Sequence, residues 1–411
     1  MAKFKDVLKE RNFLLLWLGQ IVSQLGDRLD HMALIALVYT RAPGSTIQMA
    51  KLLAFTIIPL VVLGPIAGAY VDRWDRRKTM ITCDILRGIL VLCIPLFLIH
   101  SKAIMPVYII VFSVFALGCL FIPARLSIIP SLVTGDKLLL ANSLSSTTSV
   151  VAAFIGFAVG GIIVEFIGPR GAFYIDAATY LMSALLVTFI VSRKKILPDK
   201  AVLKKSILRD IKEGMVYLKE HHHARYVADV LVLLMAAAGS IYAVGIVFIQ
   251  ERFGSITKDL SILGVFLGTG FFISAMSYGR FGHKIEKSRA ISAGLFASGI
   301  LVCAFTIVVK VYANYALIAS TIFLIGFAVA PVVISSNTLI HEITRDELRG
   351  RVFTSLGALM SASLLVFMFL SSYIAEANKK MWVLIGAGII MAAFGAWSYF
   401  FPSLNLRRQS L

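Results

Sequence analysis

The chain's 411 residues are 59% hydrophobic and only 15% charged, whereas soluble globular domains are roughly half apolar and about a quarter charged. That balance excludes an ordinary soluble enzyme or binding module and predicts a membrane protein. The formal charge of +18 invites a nucleic-acid partner, but the placement of the cations makes it a topology signal instead.

A membrane span needs ~20 mostly apolar residues, and twelve such runs occur, near 12–40, 47–71, 79–100, 105–132, 142–166, 171–192, 226–250, 259–279, 289–309, 312–340, 352–374 and 381–402. They predict an all-α polytopic membrane protein with twelve transmembrane helices in two six-helix pseudo-repeats. With a cytoplasmic N-terminus, the inside segments carry 28 Lys and Arg against 9 in the outside loops. This bias predicts that both termini are cytoplasmic. Lys3, Lys5, Lys9 and Arg11 precede the first run as in a signal peptide, but the run is too long and lacks a small-residue cleavage site, so it reads as a retained helix.

The first helix, over 12–40, carries Gln20, Ser23, Gln24, Asp27, Arg28, Asp30 and His31. At ~100° per residue, six of these share an arc of about 120°, with Arg28 just outside it. An ion facing lipid costs at least ~2.5 kcal/mol, so the stripe faces protein or water. It lines a cavity or forms a polar helix–helix seam, and two carboxylates with a histidine at mid-membrane depth favour the cavity. Asp27 is the first choice for a proton-coupling group and Asp30 the second. His31 titrates near neutrality when unperturbed and is a candidate relay, while Gln20, Ser23 and Gln24 extend the path.

The second run passes through Gly68 into a short turn holding Asp72, Arg73, Asp75, Arg76, Arg77 and Lys78. Helices joined so tightly are antiparallel neighbours, and four cations mark the turn as cytoplasmic. The pattern Gly68-x-x-x-Asp72-Arg73-x-x-Arg76-Arg77 resembles the signature between the second and third helices of the major facilitator superfamily, with Asp75 where that signature usually has glycine. The third helix adds Asp84 and Arg87, three apart on one face, and the fourth adds Arg125. Gly68, Asp72, Arg73, Arg76, Arg77, Asp84, Arg87 and Arg125 form a candidate cytoplasmic gate. Its charges read equally as an ionic latch or as a static buried salt-bridge cluster.

Further motifs follow in order: Pro123-Ala124-Arg125, Leu140-Ala141-Asn142, Gly156-x-x-x-Gly160-Gly161, Ile175-Asp176-Ala177-Ala178-Thr179-Tyr180-Leu181 and Asp346-Glu347-Leu348-Arg349-Gly350-Arg351-Val352. The ordered set resembles the superfamily branch of transmembrane secretion effectors, which includes macrolide and siderophore exporters. Gln20-x-x-Ser23-x-x-Gly26-Asp27 also resembles the first helix of efflux and lysophospholipid permeases. The resemblance implies the major facilitator fold and export.

Between 193 and 225 the chain turns polar and gains ten Lys or Arg. Ile207, Leu208, Ile211, Met215 and Leu218 make one apolar face, so an amphipathic helix on the inner membrane surface is expected. His221-His222-His223 points in divergent directions on a helix and reads as solvated linker rather than metal site. The expected domains are an N-terminal bundle over 1–192, a cytoplasmic linker over 193–225 and a C-terminal bundle over 226–411. Residues 275–284 match 68–77 at an offset of 207, Pro331 matches Pro123 at 208, and Asp346 matches Asp136 at 210, the pattern that parallel repeats leave. Mid-membrane charge concentrates in the first half, so ion coupling is expected there. Cys83, Cys93, Cys119 and Cys303 lie in apolar runs without C-x-x-C spacing, as packing residues do.

No Gly-x-x-x-x-Gly-Lys-Ser/Thr phosphate loop and no His-Glu-x-x-His occurs, so neither ATP-driven transport nor enzymatic activity is expected. The reading is a secondary active transporter without cofactor or resident metal. It is expected to be a monomeric, proton-coupled exporter of amphipathic small molecules in a bacterial inner membrane, with the lipid bilayer, protons and substrate as partners. A lysophospholipid flippase, a divalent-metal exporter using Asp27, Asp30 and His31, and a non-transporting membrane scaffold are the alternatives.

Overall fold

The computed structural model describes residues 4–71, 73–100, 103–191, 207–312 and 314–400. Its helices are α1 (Phe4–Leu8), α2 (Arg11–Arg41), α3 (Thr46–Val71), α4 (Arg76–His100), α5 (Met105–Ile128), α6 (Leu138–Thr188), α7 (Ile207–Glu220), α8 (His222–Phe253), α9 (Lys258–Phe281), α10 (Lys287–Ile307), α11 (Tyr315–Ile343), α12 (Asp346–Ile374) and α13 (Lys380–Phe400). Among the described residues, ten helices are long and apolar enough to cross a membrane. α2 falls outside that group because Asp27, Arg28 and Asp30 interrupt its apolar sequence. α6 counts once although its 51 residues are two helices. Gly168, at φ 73° and ψ 165°, breaks it immediately before Pro169. Proline lacks the N–H that would continue the helix and disfavours helical geometry in the residue before it.

The chain forms two compact units. The first comprises 1–43, 51–204 and 255–261, and the second 44–50, 205–254 and 262–411. In the first, α2 runs along both segments of α6, and α4 packs against α5 and α6. Glycines set how closely these helices approach, as in other membrane bundles. A Cβ on Gly26 would lie 2.0 Å from Thr179 Oγ1 and 2.3 Å from Asp176 Oδ1, and one on Gly156 would lie 2.7 Å from Arg28 Cβ. One end of this unit is filled by Val7, Phe13, Leu16, Met80, Phe121 and Ile128.

In the second unit α8 pairs with α12, and α10 with α11 and α13. Gly239 lies against the backbone of Leu364, and Gly299 and Gly388 face each other. The amphipathic helix expected near 207–218 is α7, but its inner face packs on protein. Ser355 Oγ donates to the Ile211 carbonyl at 2.8 Å, Tyr217 Oη donates to the Ile343 carbonyl at 2.9 Å, and Arg351 pairs with Asp210 at 3.2 Å and with Glu213. Met215 is exposed while Tyr217 and Leu218 are buried. The remainder of the expected linker lies outside the described residues. All four cysteines are free.

Candidate functional site

The polar stripe of α2 divides between two surroundings within the first unit. Towards its start it is a seam. Gln20 Nε2 donates to the Ser145 carbonyl at 2.8 Å and to Ser149 Oγ at 3.0 Å, and its Oε1 accepts from Ser145 Oγ at 2.7 Å. Gln24 Nε2 donates to the same Ser149 hydroxyl at 3.0 Å, Trp17 Nε1 donates to Thr148 Oγ1 at 2.8 Å, and Ser23 Oγ bonds back to the Gln20 carbonyl at 3.4 Å. Gln20 and Gln24 therefore join α2 to α6, while Ser23 bonds only within α2 among the described residues.

One turn further the stripe becomes ionic. Asp27 is 39% exposed through its side chain, accepts from the Tyr180 hydroxyl, and lies 3.9 Å from Arg87 Nη1. Arg87 is buried, ion-paired with Asp84, and stacked between Phe121 at 4.7 Å and Tyr180 at 4.4 Å. Asp84 Oδ2 accepts from Ser183 Oγ at 2.7 Å. Removing one member of such a buried pair leaves an uncompensated charge, at a cost of ~3–5 kcal/mol.

Asp30 and Asp176 differ from Asp84 in having no cation within ion-pair distance among the described residues. Both are at most 4% exposed. Asp176 Oδ1 accepts from Thr179 Oγ1 at 3.1 Å, but Asp176 Oδ2 and Asp30 Oδ1 are buried without hydrogen-bond partners. His31 packs edge-on against Phe157 at 5.8 Å, and the Arg28 guanidinium sits over the same ring at 5.6 Å. Arg125 is buried, with no carboxylate within 4 Å among the described residues and its Nε unpartnered.

The structure thus brings Asp84 and Arg87 to Asp27, joining residues that the sequence assigned separately to gate and path. Asp72 lies outside the described residues, and nothing is described around Gly68. Arg76 Nη1 donates to the Ser127 carbonyl at 2.7 Å, near the end of α5, and Arg77 donates to the Val187 carbonyl at 3.3 Å and to that of Thr188, at the end of α6. These arginines fasten the start of α4 to two helix C-termini, whose free carbonyls attract cations. Arg73 is exposed. Asp75 caps α4, accepting from the Lys78 N–H at 3.0 Å, and so supplies the turn by capping rather than by glycine flexibility.

Asp176, Thr179, Tyr180 and Ser183 are functional candidates that sequence reasoning missed. Their spacing of three, four and seven places them on one face of an otherwise apolar helix, and that pattern was the available signal. Among the described residues no group of three or more His, Cys, Asp or Glu side chains is placed to hold a metal ion, so Asp27, Asp30 and His31 do not converge as ligands.

Helices of spanning length around embedded, partly unpartnered charge define a multi-pass membrane protein of the transporter class. The sequence pattern described as transmembrane secretion effector matches residues 6–409, and the chain belongs to this family of major facilitator transporters. It is 25% identical over 385 residues to macrolide efflux protein A of Streptococcus pyogenes, covering 92% of this chain and 93% of the relative. It is 22% identical over 371 residues to the multidrug efflux pump Tap of Mycolicibacterium fortuitum, covering 88% and 89%. Its fold is similar to that of a bacterial homologue of the human lysosomal transporter Spinster, with a TM-score of 0.71 at 13% identity over 95% of this chain and 96% of that one.

Proposed function

We propose that the chain is a proton-coupled secondary exporter of amphipathic small molecules that works by alternating access. The observation that carries this reading is the charged cluster of the first unit. A half-exposed carboxylate, Asp27, is held beside Arg87 and Tyr180, with two further carboxylates, Asp30 and Asp176, buried next to it and incompletely partnered. A buried carboxylate is costly to keep charged without a counterion, so such a group exchanges a proton when its surroundings change. Efflux relatives support the direction of transport.

In this mechanism Asp27 is the accessible proton acceptor. Arg87 lies 3.9 Å from it, and the Tyr180 hydroxyl, donating to its Oδ1, orients it. Substrate entering beside Asp27 competes with these contacts, and that competition links proton release to substrate movement. The reading has twelve crossings, since α2 and the two segments of α6 each span the membrane beside the other nine helices. It further has two six-helix repeats, both termini in the cytoplasm, a bacterial inner membrane and a monomeric transporter. The test is flux in proteoliposomes with and without an imposed pH gradient. Substrate flux indifferent to the gradient refutes proton coupling, and uptake of lysophospholipid in place of drug efflux favours the flippase.

A further inference from the structure

Two short segments are built alike. Residues 44–50 pack within the second unit and 255–261 within the first. Each follows or starts at a glycine with positive φ, Gly44 at 77° and Gly254 at 68°, and each leads into the first turn of a helix, α3 or α9. In each, a buried threonine hydroxyl donates to a carbonyl on a neighbouring helix. Thr257 Oγ1 donates to Gly161 O at 2.7 Å, and Thr46 Oγ1 donates to Ser372 O at 2.8 Å.

In each, a glutamate one turn beyond that carbonyl also takes the free donors of the helix start. Glu165 accepts from the N–H groups of Thr257 at 2.8 Å, Lys258 at 3.1 Å and Ile256 at 3.3 Å. Glu376 accepts from the Ile47 N–H at 3.1 Å and from the Ser45 hydroxyl at 2.6 Å, and lies 2.8 Å from Thr46 Oγ1, whose single proton it shares with the Ser372 carbonyl. Thr46 and Thr257, Gly161 and Ser372, and Glu165 and Glu376 are all separated by the same 211 positions. The ionic cluster has no such echo, since the positions 211 beyond Asp27 and Asp84 hold Ala238 and Leu295. The two halves differ where the charge sits and agree at these hooks.

We propose that Glu165 and Glu376 are a symmetry-related pair of positioning residues whose carboxylates latch the two hooks, and that the hooks release together during transport; this rests on the alternating-access reading. The chemistry suits a reversible latch. The first N–H groups of a helix have no partner in their own helix, and the helix dipole attracts an anion there. Glu376 is exposed and Glu165 half-buried, so water can replace either carboxylate as the hook leaves. The close seat is fitted to its occupant, because a Cβ on Gly161 would lie 2.0 Å from Ser261 Oγ.

The test places single-cysteine reporters at positions 50 and 261, also 211 apart and both fully buried as Ala50 and Ser261, in the full chain with its four native cysteines replaced. Labelling by a membrane-impermeant maleimide is then timed in proteoliposomes without substrate. Glu165→Ala is expected to speed labelling at both reporters by roughly fivefold, the factor a capping interaction is worth, and Glu376→Ala to do the same. Glu165→Gln and Glu376→Gln, which keep one acceptor oxygen, are expected to give a smaller rise at both, and they stand in if an alanine variant does not fold. A rise confined to the reporter beside the altered glutamate, as a purely local cap gives, overturns the proposal, and so does no rise at either. Because no transported substrate is needed, failure of the exporter reading in a flux assay remains distinguishable from failure here.

Discussion

Asp27 and Arg87 show how much one contact changes the meaning of a residue. Asp27 was legible as an embedded carboxylate from its place on a polar stripe. Its partner was not, because Arg87 and Tyr180 come from runs distant in sequence and helical periodicity reports only which face a residue occupies. On the proposed mechanism, Asp27→Asn abolishes accumulation driven by a pH gradient while sparing counterflow of substrate down its own gradient. Full gradient-driven transport by that variant moves the coupling role to Asp30 or Asp176. Arg87→Met leaves Asp84 buried without its cation, and a loss of about 3 kcal/mol is expected, read as a lower thermal midpoint in detergent. Changing Asp84 to Asn in the same chain restores much of that loss, because the two side chains form one pair.

At the scale of elements, the helices were legible because each membrane crossing requires a long apolar run. Their ends and breaks were less so. The break in α6 rests on Gly168 and Pro169, which the sequence shows, and it lets both segments lie beside α2, the first at Ser145 and the second at Ser183. The stripe on α2 was read as one surface, but an arc of about 120° is wide enough to meet two neighbours, and Gln20 with Gln24 went to a seam while Asp27 went to the ionic cluster. Similarly, α7 was read as lying on lipid because its sequence has one apolar face, and periodicity does not name what covers a face. Gly26 tests the packing that positions the site. Any side chain there collides with Thr179 and Asp176, so Gly26→Leu forces α2 from α6. It is expected to lower stability by about 1–3 kcal/mol or more and to reduce transport, whereas substitution at Gly264, which has open space around it, leaves both near wild type. Equal tolerance at the two positions contradicts the close contact.

For the whole molecule, the excess of Lys and Arg in alternate loops supports cytoplasmic termini. External cysteine labelling is expected to reach positions in 41–46, 101–104 and 167–171 but not 73–78 or 193–225, and labelling of the 73–78 turn from outside reverses the topology. The sequence carried the class of protein through its composition, and the family through an ordered set of motifs. The substrate was not legible, since the apolar side chains that would recognise an amphipathic molecule are the same residue types that fill any membrane bundle. The most direct test reconstitutes the protein in proteoliposomes with an amphipathic compound selected by thermal shift and follows its movement as a pH gradient is imposed and then collapsed with an ionophore. The account predicts accumulation against the compound's own gradient that disappears on collapse, and that Asp27→Asn does not show at all. Accumulation that persists without the gradient would contradict it.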